Sequence, residues 1–114
     1  MISLQFDGLF SEVATDNRRA GFLCYGWLIW RGSLVVARGH GGVARAQDAT
    51  SNVAEYIALI EGLDALSDLG DHHEPVQVFG DAKCVIDQMS GTSDVNSPAI
   101  QPLYRKACKL ADDF

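Results

Sequence analysis

The chain has 114 residues, a net charge of −6, 47% hydrophobic and 21% charged residues, enough for one domain with one core, so residues 1–114 are expected to form a single unit. The acidic balance excludes a broad cationic footprint for a polyanion, leaving only a local patch or bound cations for that purpose. There is no run of about 18 apolar residues and no basic-plus-apolar leader, so no membrane span or secretion signal is expected.

The cysteines, Cys24, Cys84 and Cys108, are odd in number and lack CxxC or Cys–His spacing. That pattern points to reduced thiols and a cytoplasmic protein.

Residues 2–7, ISLQFD, alternate with Ile2, Leu4 and Phe6 on one face and Ser3, Gln5 and Asp7 on the other, as in a strand packed on one side. Asp7-Gly8 could make a hairpin turn, but the polar cluster TDNRR at Thr15–Arg19 is the better turn. The first strand then runs past Asp7 toward Val13. Gly21–Trp30, rich in aromatic and β-branched residues, is the second strand, and Arg31-Gly32 a tight turn. Ser33–Gly39 returns as the third strand of an antiparallel meander. Gly39, Gly41 and Gly42, followed by Arg45, Gln47, Asp48 and Thr50, predict a loop over Gly39–Ser51.

Ser51–Gly70 has helical periodicity. Glu61, Asp64 and Asp68 share a narrow solvated arc, while Val53, Tyr56, Leu59, Ile60, Leu63 and Leu66 spread over the remaining surface. Glu55 lies opposite the acidic arc, among apolar residues, where a carboxylate needs a partner. One explanation is a capping box, with Asn52 as N-cap and Glu55 three residues on; the other is a functional role.

Gly70 and Pro75 bound a break in which His72 and His73 are exposed loop residues without ligand spacing. Val76–Phe79 reads as a short strand, and after a helical crossover it should lie parallel to the first. Asp81 then sits at its carboxyl end, either as N-cap of a helix over Ala82–Ser90 or as a ligand-facing acid. Gly91–Pro98 is a polar loop, and Ile100–Leu110 a last helix with Arg105, Lys106 and Lys109 outside.

Three isolated acids, Asp7, Glu55 and Asp81, thus fall where adjacent strands and a helix start can meet. Converging carboxylates repel unless cations lie between them, and hard oxygen ligands suit Mg²⁺ or Mn²⁺. Two such ions about 4 Å apart could activate a water and stabilise the leaving oxygen of a phosphodiester.

FDG at 6–8, SNVAEYIALIEGL at 51–63 and VFGDAKCVIDQMSG at 78–91 resemble the three leading motifs of type 1 ribonuclease H, in its compact archaeal-like and bacterial form. SPAIQPLYRKACKL at 97–110 resembles the segment after the third motif, so the likeness covers nearly the whole chain. It implies an α/β ribonuclease H-like fold, a three-stranded meander plus a strand parallel to the first with helices packed on the sheet. It also implies metal-dependent endonucleolytic hydrolysis of the RNA strand of RNA–DNA hybrids. By the same resemblance Asp7, Glu55 and Asp81 are the catalytic, metal-binding acids. Asn52 contacts nucleic-acid backbone, and Gly8 lets the backbone approach the shallow minor groove, where the 2′-hydroxyl marks RNA.

Against the family pattern the sequence is expected to lack a fifth strand and a terminal helix with a fourth acid, which would weaken one metal position and leads to the expectation of low nuclease activity; Asp112 and Asp113 read as a solvated tail. Ala82 replaces a hydroxyl or amide, and EVATDNRR differs from the family's Gly/Pro-rich loop. An uncovered edge at Val76–Phe79 leads to the expectation of a homodimer through it. The alternative function is a non-catalytic nucleic-acid-binding or assembly module.

Overall fold

A computed structural model describes residues 1–15, 18–45, 51–70 and 74–114. Its element order is β1 (Ile2–Thr15), β2 (Arg18–Arg31), β3 (Leu34–Arg45), α1 (Ser51–Asp68), β4 (Val76–Phe79), α2 (Lys83–Met89) and α3 (Gln101–Ala111). The strands form one sheet in the order β3-β2-β1-β4, with β1 antiparallel to β2 and parallel to β4. The meander followed by a parallel strand is the predicted architecture, and Asp7 lies within β1 rather than in a hairpin turn.

Alternation along β1 sorts its two faces. Ile2, Leu4 and Phe6 are fully buried, and their partners across β2 include Ile29 and Trp27. α1 lies on this face, against β1 and β2, and α3 packs on α1. Covered on both sides, α1 buries Val53, Tyr56, Leu59, Ile60, Leu63 and Leu66, each such side chain stabilising by roughly 1.5–3 kcal/mol over exposure. Glu61, Asp64 and Asp68 remain exposed, as the periodicity requires. Gly70 ends the helix at φ +73°, in the left-handed region where a side chain is strained.

The third strand is longer than expected. The glycines predicted to form a loop continue the ladder through Arg45, pairing Trp27 with Gly39 and Tyr25 with Gly41. A Cβ on Gly39 would run into the Trp27 ring, and one on Gly41 into the Tyr25 ring and hydroxyl. The Trp27 and Tyr25 rings therefore lie across the bare backbone of their β3 partners, and glycine here serves packing rather than turning. Val36 is skipped between the pairs Ile29–Ala37 and Trp30–Val35, which makes a bulge near the hairpin end. His72 and His73 lie outside the described residues, as does most of the remaining predicted loop. No helix of the described residues is long and apolar enough to cross a membrane.

Candidate active site

β4 is short, and its ladder with β1 stops at the pair Gln5–Phe79. From Phe6 onward, β1 runs on beyond the end of β4, leaving a notch of about 140 Å³ lined by Gln5, Phe6, Asp7, Phe79, Gly80 and Asp81. Both Asp7 and Asp81 are exposed to it.

Two close backbone approaches build this notch. At Gly8 the helix α1 crosses β1 so tightly that a Cβ would overlap the backbone of Ala54 and Glu55. At Gly80 the chain leaving β4 folds against Phe6, and a Cβ there would sit 2.8 Å from the Phe6 carbonyl oxygen. The first approach delivers Glu55 and the second delivers Asp81. Behind them, the buried Tyr56 hydroxyl donates to Gln88 Oε1 at 2.7 Å, and Gln88 Nε2 donates to the Asp94 carbonyl, tying α2 to α1.

Glu55 is only 8% exposed, and its Oε2 has no hydrogen-bond partner. Burial pushes its carboxyl up to about 7, assisted by the negative charges of Asp7 and Asp81 and by a hydrogen bond shared with Asp7, while the Gly8 backbone N–H partly offsets the rise. Asp7 and Asp81 are therefore both close enough to act on Glu55. They do not form a ready-made cage: among the described residues, no three His, Cys, Asp or Glu side chains are grouped so that they could hold an ion.

The competing structural explanations for these acids fail on local geometry. Ser51 is already helical, so Asn52 lies inside the first turn rather than capping it, and its amide reaches toward Cys84 Sγ at 3.8 Å. Without an Asn52 cap there is no capping box to explain Glu55. Likewise the N-cap of α2 is Ala82, with no side-chain cap hydrogen bond, and Asp81 contributes only its carbonyl, to the Lys83 N–H. Gly8 faces the helix, and the structure uses its missing side chain for the α1 crossing.

A buried carboxylate oxygen without a partner, beside two exposed carboxylates, is a donor set that fits a hard divalent cation. Sequence reasoning missed a neighbouring group. Arg38 and His40 lie on β3, two residues apart and exposed, in a cavity that also reaches Asp7. Their alternation was a strand signal hidden by the glycines around it.

Comparison with known proteins agrees with this fold. Residues 7–114 match the family model described as reverse transcriptase-like. The bifunctional protein Rv2228c of Mycobacterium tuberculosis is 40% identical over 92 residues, 79% of this chain and 24% of that protein. Its N-terminal RNase H domain, solved as a fusion with maltose-binding protein, superposes with a TM-score of 0.81 at 35% identity, over 99% of this chain and 75% of that one. Ribonuclease HI of Halobacterium salinarum is 34% identical over 90 residues, 78% of this chain and 43% of that protein. The crystal structure of RNase H1 from that archaeon gives a TM-score of 0.80 at 32% identity, over 99% of this chain and 78% of that one. The chain thus spans about a quarter of the mycobacterial protein and under half of the halobacterial one. By fold, by motif order and by these matches, the chain belongs to the type 1 ribonuclease H family.

Proposed function

We propose that this chain is a metal-dependent endonuclease that hydrolyses the RNA strand of RNA–DNA hybrids, with Asp7, Glu55 and Asp81 holding Mg²⁺ or Mn²⁺. The observation that carries the reading is Glu55, a buried carboxyl with an orphaned oxygen, held against two further acids by the Gly8 crossing. Bound there, two such ions would supply an activated water and a countercharge for the leaving oxygen. Asp7 and Asp81, on either side of the notch, orient the phosphodiester, and Glu55 keeps the floor of the site fixed to α1. Asn52, exposed one turn before Glu55 and held among the described residues by a long contact to sulfur, meets the nucleic-acid backbone. A hybrid presents 2′-hydroxyls in a wide, shallow groove, and the choice of RNA rests on contacts to them. Three free thiols suit a reducing cytoplasm, where we place the activity.

The test is cleavage of an end-labelled RNA–DNA hybrid with Mn²⁺, comparing the wild type with Asp81→Asn. Asp81 is exposed and caps nothing, so the substitution leaves the fold intact. Metal-dependent cutting of the RNA strand that disappears in the variant is the expected result. A second reading, a binding module without catalysis, is favoured by the lack of a ready-made ion cage among the described residues. Hybrid binding with no cutting under any divalent ion would select it.

A further inference from the structure

Beside the notch lies a larger open trough of about 390 Å³, lined by Gln5, Asp7, Gly26, Leu28, Arg38 and His40 among others. Gln5, Phe6 and Asp7 line both concavities, so the two are continuous through the carboxylate proposed to hold the metal. The register explains the trough. Asp7 pairs with Gly26, and Gly26 pairs with His40, so Asp7 and His40 face each other across a strand position with no side chain. In the next row Gln5, Leu28 and Arg38 are aligned in the same way. At about 4.8 Å per strand, His40 stands about 10 Å from Asp7, roughly three base steps of a duplex at ~3.4 Å each.

We propose that Arg38 and His40 form an anion subsite that takes a backbone phosphate of the nucleic acid about three base steps from the phosphodiester at Asp7. On a chain of net charge −6, a polyanion passing three carboxylates needs a local cation, and this trough supplies one in continuity with the notch. Arg38 gives a planar fork suited to phosphate oxygens, and His40 donates an N–H from the adjacent row position. Gly26 keeps the floor low: a Cβ there would meet only the Gly39 carbonyl oxygen, at an ordinary 3.7 Å, so the glycine is not required by packing. An open floor is what a bulky backbone crossing the strand requires. The subsite rests on the nuclease reading, since it takes the same polymer.

The experiment follows fluorescence anisotropy of a labelled RNA–DNA hybrid in EDTA, where no cutting occurs, from about 50 to about 200 mM salt. The full chain is compared with the double variant Arg38→Gln/His40→Gln and with Arg38→Lys. Because both side chains are exposed, the glutamines leave the fold unchanged, and circular dichroism checks that. We expect the double variant to bind about tenfold more weakly, with a log–log salt slope smaller by about one, the signature of one lost phosphate contact. Arg38→Lys keeps the charge and restores the slope. A double variant with wild-type affinity and slope overturns the subsite alone, while a wild type that neither binds nor cuts the hybrid overturns the nuclease reading and the subsite together.

Discussion

Replacing Glu55 with Gln should stabilise the metal-free protein at alkaline pH while leaving it little changed in acid. The Glu55 carboxyl titrates near 7 in the fold against 4.5 for an unburied reference. Between those values the folded chain holds a proton that the unfolded chain has released, so stability falls as pH rises. The favourable contribution is complete below about pH 4.5 and is lost as the pH passes through about 7. At about 1.36 kcal/mol per pKa unit, the gap of 2.5 units (7 minus 4.5) sets a ceiling of roughly 3.4 kcal/mol. The exposed Asp7 lies beside Glu55 and shares part of the rise, so screening by water reduces this to about 1–2 kcal/mol. Glutamine preserves shape and never ionises, so its stability does not titrate at this site. The assay is urea unfolding in EDTA at pH 5 and pH 8.5. The wild type should lose about 1–2 kcal/mol relative to Glu55→Gln across that interval, a midpoint difference near 1 M at a typical urea slope. Adding Mg²⁺ at pH 8.5 should recover the loss in the wild type but not in the variant. Parallel pH profiles for the two proteins would refute the idea that Glu55 is held in a desolvated, like-charged place.

Three further substitutions test the scaffold. Gly8→Ala forces a Cβ into the backbone of Ala54 and Glu55, which cannot yield as a side chain would; a loss of about 3 kcal/mol or more, together with loss of cleavage, should appear in denaturant titration. Gly39→Ala must displace the Trp27 ring, costing about 1–3 kcal/mol and shifting the tryptophan emission; an unchanged spectrum would show that the ring does not lie over that backbone. Tyr56→Phe removes the 2.7 Å hydrogen bond to Gln88 and leaves a buried amide oxygen unpaired, so thermal melting should report a loss of about 1–3 kcal/mol.

Much of the fold was legible because the relevant signals are local. Alternation over Ile2–Asp7 fixed which face of β1 is buried, and one acid on the apolar side of a helix marked Glu55 as needing explanation. The sequence also set the direction of β4, since a crossover helix obliges the returning strand to run parallel to the first. The misread segment was the glycine-rich run after Gly39. Glycine there answers to Trp27 and Tyr25 on the neighbouring strand, a cross-strand relation that no window of consecutive residues contains. The same holds for Arg38 and His40, which join the site only through the pairing of three strands. The sequence points to Gly8 as a place of close approach from outside, whereas the structure brings α1 onto it from within. Asn52 and Asp81 each had a capping explanation in the sequence, and helix starts displaced by two residues and by one removed them.

The four residues of β4 act as a ruler for the site. β1 is fourteen residues long, and only its first few pair with β4; the acids gather where that pairing ceases. Lengthening β4 by two residues in register would carry the ladder past Phe6 and lay a strand edge alongside Asp7, closing the notch without altering any acid. The reach of one strand along another therefore decides whether this sheet edge is a wall or a doorway. Loop grafting that preserves every carboxylate could still switch the site off.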